Sequence, residues 1–115
     1  MRYMLLLYAN EQGGLSLPAD EMAMWVEKMS AYQQALEKAG AFVSTSGLGI
    51  TANARTVHIE NGELKVHNGP YAETQEQLGG YFLIEAKSMD EAQAWAAKCP
   101  AAIWGHIEIR KLDTR

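Results

Sequence analysis

The last strand-like segment carries three polar residues that could transfer a proton and bind an anion. In IWGHIEIRKL, His106, Glu108 and Arg110 alternate with isoleucines, so the three side chains project from one side of a strand. A carboxylate beside a histidine orients an imidazole for acid/base catalysis, and an arginine can hold an anionic group. The same pattern is typical of an edge strand whose charges discourage edge-to-edge pairing, so both interpretations stay open.

A second candidate is the segment HNGPYAETQEQLGG, which joins two strand-like runs. Asn68 to Pro70 is a turn signal, and Tyr71 offers an aromatic anchor with a polar tip. Glu73 and Glu76 are possible acid/base groups, although loop carboxylates are normally solvated. Gly79-Gly80 permits close backbone approach, but a phosphate loop is excluded because its lysine and following helix are missing. By composition, the segment is either an ordered loop or part of a binding site.

The sequence supports metal binding and thiol chemistry less well. His58 and His67 fall on one face of a predicted hairpin, but a metal would need a third protein ligand, so a solvated face competes with a metal site. Cys99 is the only cysteine, which excludes an intrachain disulfide and suits a reducing cytoplasm; it is either a packed apolar group or a reactive thiol. We expect no metal and no cofactor.

The composition and net charge limit the classes of partner that the protein is expected to bind. The net charge of -4 argues against binding to a nucleic-acid backbone, and no segment reaches the roughly 20 apolar residues that span a membrane. The N-terminal run MRYMLLLYAN reads as a strand rather than a signal peptide because its apolar part is short. We therefore expect a cytoplasmic protein with a single domain over residues 1–115.

Strands and helices alternate in the pattern that would position these groups. Met4 to Tyr8 and Tyr81 to Ala86 are nearly all apolar, as in central strands. A helix is predicted to begin at Pro18 and to end just before Gly40. A second helix is predicted to begin at the capping box of Ser88 and Glu91 and to stop at Pro100. EQGGLSLP reads as a turn-rich connection, and IWGHIEIRKL as the last strand, including Ile103. Asn61-Gly62 predicts a two-residue hairpin turn in which Glu60 faces Glu63.

This order predicts an α+β, ferredoxin-like sandwich with two helices on one face of an antiparallel sheet and an added β-hairpin. Two helices can cover only one face of the sheet, yet the central strands are apolar on both. We therefore expect a homodimer whose sheets pack face to face, in a dimeric α/β-barrel-like assembly.

The stretch NGPYAETQEQLGGYFLIE closely resembles the signature of the DGPF-domain branch of the YCII-related proteins, and the similarity extends over the whole chain. The resemblance implies a ferredoxin-like fold that dimerises, and possible enzymatic roles around a His–Asp pair. Asn68 and Gln75 stand where the signature has Asp and Lys, and the first helix lacks the histidine of the enzyme-like members.

The sequence thus predicts a homodimer with a cleft for an unidentified small molecule. His106 is the candidate proton shuttle, with Glu73 or Glu76 as its partner carboxylate and Arg110 as an anion clamp. The candidate substrate-binding residues are Tyr8, Asn68, Tyr71, Gln77 and Arg110. The alternative is a non-catalytic interaction or regulatory module linked to transcription.

Overall fold

The computed structural model describes residues 1–113, which form a four-stranded sheet, a separate two-stranded sheet and four α-helices. The strands are β1 (Arg2–Ala9), β2 (Phe42–Gly47), β3 (Arg55–Glu60), β4 (Glu63–Asn68), β5 (Gln77–Glu85) and β6 (His106–Lys111). The helices are α1 (Glu11–Leu15), α2 (Ala19–Lys38), α3 (Met89–Lys98) and α4 (Ala101–Trp104), and a 3-10 turn covers Thr51–Asn53.

The larger sheet is antiparallel in the order β2-β5-β1-β6. One face packs against the helices, where Leu5, Leu36, Phe82 and Ile84 belong to a single core cluster. A helical connection between β1 and β2 and another between β5 and β6 make this the split βαβ arrangement. The predicted α+β fold with helices on one face of an antiparallel sheet is confirmed.

The other face of the sheet is not covered by helices, and we call it the open face. Its centre is made of three cross-strand pairs between β1 and β5, and all six side chains are only half-buried. These pairs are Met4–Leu83, Leu6–Tyr81 and Tyr8–Leu78. The polar residues of β6 flank this apolar centre along one edge.

The predicted start and stop signals lie at the ends of α2, the long helix between β1 and β2. Helix α2 starts one residue later than predicted, because Pro18 is its N-cap, and Gly40 (φ 73°) follows its end as expected. Tyr32 of α2 donates a hydrogen bond from its hydroxyl to the carbonyl of Trp95 in α3 (2.8 Å), which ties the two helices together. Cys99 is buried beside them, and burial raises the pKa of its thiol to about 11, so the packed interpretation is confirmed.

The predicted hairpin forms with the predicted register: Glu60 pairs with Glu63 around Asn61 (φ 51°) and Gly62 (φ 77°). Strands β3 and β4 make a sheet of their own, and we call residues 55–68 the hairpin arm. The radius of gyration of 16.2 Å exceeds the roughly 13 Å of a compact domain of this length, in keeping with a projecting arm.

Two local predictions were wrong. The connection after β1 contains the short helix α1, capped by the side chain of Asn10, which accepts from the Gly13 amide at 2.8 Å. Ile103 lies in α4 and not in the last strand, so β6 begins only at His106. Among the described residues, no helix is both long and apolar enough to cross a membrane.

Candidate active site

The candidate site lies on the open face, at the end of the sheet where β1 finishes and β6 begins. His106 is the first residue of β6 and pairs directly with Tyr8 of β1. Because Ile107 and Ile109 turn into the core, His106, Glu108 and Arg110 project from the opposite side, as the alternation predicted.

His106 and Glu76 form a hydrogen-bonded pair across 30 residues of sequence. The imidazole Nδ1 lies 2.8 Å from Oε1 of Glu76. An ionised carboxylate can only accept, so Nδ1 carries the proton in this pair and the lone pair of a neutral ring resides on Nε2. The Glu76 side chain is 33% exposed and that of His106 is 83% exposed, which leaves the outer part of the ring open to solvent.

Gly105 sets the position of the histidine. It caps the short helix α4, and a Cβ atom at this position would lie 1.9 Å from the carbonyl oxygen of Tyr8. Any side chain here would push β6 away from β1 at the site. In the sequence, Gly105 stands immediately before His106. This glycine is the signal from which a close approach of the two strands could have been predicted.

The glutamate is held by a polar loop. The Thr74 hydroxyl donates to the carbonyl of Glu76, and Nε2 of Gln77 donates to the carbonyl of Thr74 at 2.6 Å. The other end of the Gln77 amide accepts from the backbone N–H of Glu11 at 2.9 Å. Gln77, a predicted substrate ligand, thus uses both ends of its amide to tie the loop to α1.

Glu73 lies apart from the pair, in a polar cleft of about 650 Å³ whose lining includes Pro70 and Gln77 but not His106. Another wall of this cleft is tied down by Glu11, whose carboxylate accepts from the Thr51 amide and hydroxyl, both at 2.8 Å. Sequence reasoning missed Glu11 because α1 was expected to be a turn. Of the two candidate carboxylates, only Glu76 meets the histidine.

The remaining predicted residues are scattered. Tyr71 is 91% exposed, so its ring does not wall a cavity within this chain. Asn68 is exposed at the end of β4, opposite Arg55. Arg110 donates to Glu108 at 3.2 Å, and four strand residues place it about 13 Å from His106. Tyr8 alone is beside the imidazole.

A cavity of about 440 Å³ lies at the same end of the molecule and was not predicted. Its walls come from β1, β2, β5, α2 and α4, and the polar lining residues include Ser30, Gln33 and Thr45. Tyr8 lines this cavity too. Ser30 and Gln33 are three apart on α2, but nothing in one helical sequence shows which polar pair will face a sheet end.

In the part of the chain that the structure describes, no group of three or more His, Cys, Asp or Glu side chains is arranged to hold an ion. His58 and His67 lie on the polar face of the exposed hairpin arm. The geometry around His106 is that of a solvent-facing imidazole hydrogen-bonded to one carboxylate, beside a tyrosine.

Comparison with known proteins places this chain in a family. The model of the YCII-related domain matches residues 1–113. The chain belongs to the YCII-related family. An uncharacterised protein from Rhizobium meliloti (strain 1021) is 34% identical over 114 residues, which cover 97% of this chain and 92% of the relative.

A solved structure shares the fold of this YCII-related chain. It is 5-chloro-2-hydroxyhydroquinone dehydrochlorinase (TftG) from Burkholderia phenoliruptrix AC1100, in complex with 2,5-dihydroxybenzoquinone. The TM-score is 0.53, the identity is 16%, and the match covers 98% of this chain and 94% of the other. At this identity the likeness shows the fold alone.

Proposed function

We propose that this YCII-related protein is an acid/base enzyme that acts on a small hydroxylated ring compound at the open face. His106 is the proton-transfer group and Glu76 orients it. The observation that carries the proposal is the 2.8 Å contact between Nδ1 of His106 and Glu76, which directs the basic Nε2 outward. The ligand bound to the dehydrochlorinase of the same fold supports the substrate class.

In the proposed reaction, Nε2 removes a proton from the substrate while Nδ1–H keeps its bond to Glu76. The carboxylate stabilises the positive imidazolium that forms, and the ring can return the proton in a later step. Tyr8 and Leu78, which pair across β1 and β5, provide a partly apolar floor beside it. Arg110 is bound to Glu108 and is too distant to contact a small substrate held at His106, so we do not assign it to this site.

We propose further that the protein is a cytoplasmic homodimer of the DGPF branch. The loop NGPYAETQEQLGG supports the branch, and the single buried thiol suits a reducing compartment. The half-buried apolar centre of the open face supports a second copy packed on it, which would also enclose the exposed imidazole. The cleft for the substrate would then lie at the rim between the two subunits.

A binding and turnover experiment tests the catalytic proposal. Titration with 2,5-dihydroxybenzoquinone should shift the NMR signal of the His106 ring, and chloride release from 5-chloro-2-hydroxyhydroquinone should fall at least about 100-fold in His106→Asn. His58→Asn is the matched control, because His58 lies on the exposed hairpin arm. No ring shift with this quinone or with other hydroxylated aromatics, or unchanged turnover in His106→Asn, would refute the proposal.

A further inference from the structure

A pocket of about 370 Å³ lies where α1, α2 and α4 meet the end of β1, and we call it the tryptophan pocket. Its volume falls in the range of small-molecule sites, roughly 300–1,000 Å³. Neither His106 nor Glu76 lines it, so it is distinct from the candidate active site. The lining residues include Gly14, Leu17, Glu21, Met22, Trp25 and Trp104.

Two tryptophans form adjoining walls of this pocket. The ring centroids of Trp25 and Trp104 are 4.5 Å apart, and the ring planes are inclined by 74°. The face of an indole ring carries a negative potential that attracts cations. Trp25 already attracts one, because Nζ of Lys28 lies 4.8 Å from its ring centroid. Lys28 does not line the pocket, so this contact does not fill it.

Glu21 is the one charged residue among the described residues that line the pocket. Within residues 1–113, its carboxylate has no hydrogen-bond or ion-pair partner. A neutral ligand would take water from this carboxylate without replacing it, and an anion would be repelled. An ammonium group replaces the lost water with an ion pair. The charge of the pocket therefore favours a cation.

The amide of Asn10, which also lines the pocket, is already engaged at both ends. Its Oδ1 accepts from the Gly13 amide at 2.8 Å, and its Nδ2 donates to the carbonyl of Gln75 at 3.1 Å. An anion that bound this amide would have to break the bond to Gln75. Apart from Glu21, the side chains at hand are apolar or aromatic, as Leu17 and Met22 are, so they suit the hydrocarbon part of a ligand.

Two glycines of α1 contribute to the empty space. Gly13 and Gly14 both line the pocket, and a Cβ atom at Gly14 would meet no atom within 4 Å. Glycine lowers helix stability relative to alanine, so two glycines disfavour this five-residue helix. Because Gly14 lines the pocket and its Cβ position is open, a longer side chain there has room to occupy the same space.

We propose that the tryptophan pocket binds a small organic cation, in which an ammonium group is attached to an apolar or aromatic body. The ammonium group lies against the indole rings and beside Glu21, and the body packs on Leu17 and Met22. This goes beyond the proposed function, because it assigns a second ligand to a site that contains neither member of the histidine–glutamate pair.

Three compounds that share a phenyl ring test the charge preference. Phenethylamine is a cation at neutral pH, phenethyl alcohol is neutral and phenylacetate is an anion. In isothermal titration calorimetry, phenethylamine should bind at least about tenfold more tightly than the alcohol, and phenylacetate more weakly than either. The indole N–H signals of Trp25 and Trp104 should shift in NMR spectra, whereas that of Trp95, which does not line the pocket, should not.

Substitutions separate the contributions of the carboxylate and the rings. Glu21→Gln should weaken phenethylamine by at least about threefold and leave the alcohol unchanged. Asp20→Asn is the matched control, because Asp20 precedes Glu21 in the first turn of α2 but does not line the pocket. Gly14→Leu fills the space and Trp104→Leu removes a ring, so each should abolish binding of phenethylamine while circular dichroism shows an unchanged fold.

Several results would overturn the inference. Equal affinity for phenethylamine and phenethyl alcohol would reject the cation, and tighter binding of phenylacetate would reverse its sign. No binding of any of the three compounds, or a shift at Trp95 alone, would show that the pocket is not the site. Equal losses in Glu21→Gln and Asp20→Asn would reduce the effect to net charge. Unchanged binding in both Gly14→Leu and Trp104→Leu would place the ligand elsewhere.

Discussion

At the scale of single residues, one hydrogen bond decides which loop carboxylate is the partner of His106. Two loop carboxylates, Glu73 and Glu76, were equal candidates as partners of His106, and only Glu76 reaches Nδ1. A carboxylate on Nδ1 selects the tautomer whose basic nitrogen is Nε2, the nitrogen that faces solvent. The pair therefore determines which ring nitrogen can accept a proton, although neither group is deeply buried.

The tautomer can be measured without knowing any substrate. We expect the ¹⁵N chemical shifts of neutral His106 in the wild type to show the proton on Nδ1. In Glu76→Ala the preference should move toward the Nε2–H form, because the acceptor that holds the Nδ1 proton is gone. Glu73→Ala is the matched control and should leave both shifts unchanged, since Glu73 lines a cleft that does not include His106.

Two outcomes would contradict this assignment. If Glu76→Ala leaves the tautomer as it is in the wild type, the contact does not control the ring. If Glu73→Ala has the larger effect, the partner carboxylate is the other one.

At the scale of the elements, the adjacent glycines Gly79 and Gly80 of β5 differ in how closely a neighbouring strand approaches them. A Cβ atom at Gly80 would lie 2.8 Å from the carbonyl oxygen of Ser46 in the neighbouring strand β2. At Gly79, beside the register shift between β1 and β5, the nearest atom would be 3.9 Å away. The Gly pair thus allows β5 to approach β2 closely at one position only.

We therefore expect Gly80→Ala to lower the free energy of unfolding by about 1–3 kcal/mol, since backbone atoms on two strands must move apart. Gly79→Ala should change it by well under 1 kcal/mol, because the added methyl group makes only ordinary contact. Urea unfolding monitored by circular dichroism measures both values. Equal effects in the two variants would show that the close approach to Ser46 is not a packing constraint.

Elements with strong local signals could be predicted from the sequence. Asn61-Gly62 predicted the turn and register of the hairpin arm, because few residue pairs adopt positive φ at both turn positions. Helix α1 was missed, since five residues with two glycines form a poor helix and only the Asn10 cap favours it. Ile103 was placed in a strand because alternation continues through it, while Pro100 starts a helical turn before it.

The candidate site was harder to predict than the fold. His106 could be named as a candidate from the alternation in β6, a local property. Its partner could not be chosen, because Glu76 is 30 residues away and its position depends on contacts of Thr74 and Gln77 within a loop. The cavity beside Ser30 and Gln33 depends on how α2 lies across the sheet, which no single segment encodes.

The shape of the whole molecule is that of a flat plate. Its extents are 48 × 44 × 18 Å, with helices on one side of the sheet and the open face on the other. One face of the sheet therefore has no other element packed on it, whereas domains usually bury a sheet's apolar face against another element. The half-buried pairs Met4–Leu83 and Leu6–Tyr81 lie at the centre of this uncovered face.

If a second copy provides that layer, a charge at the centre of the open face must separate the subunits while each remains folded. We expect Leu83→Lys to convert a dimer into a monomer in multi-angle light scattering, because the ammonium group would be desolvated between two sheets. In the monomer the same lysine reaches water, so the circular dichroism spectrum should remain that of the wild type. Gln93→Lys, exposed on α3 behind the sheet, is the matched control and should leave the mass unchanged. A folded Leu83→Lys protein that keeps a dimeric mass would show that the open face is not the contact, and the layer would then have to come from elsewhere.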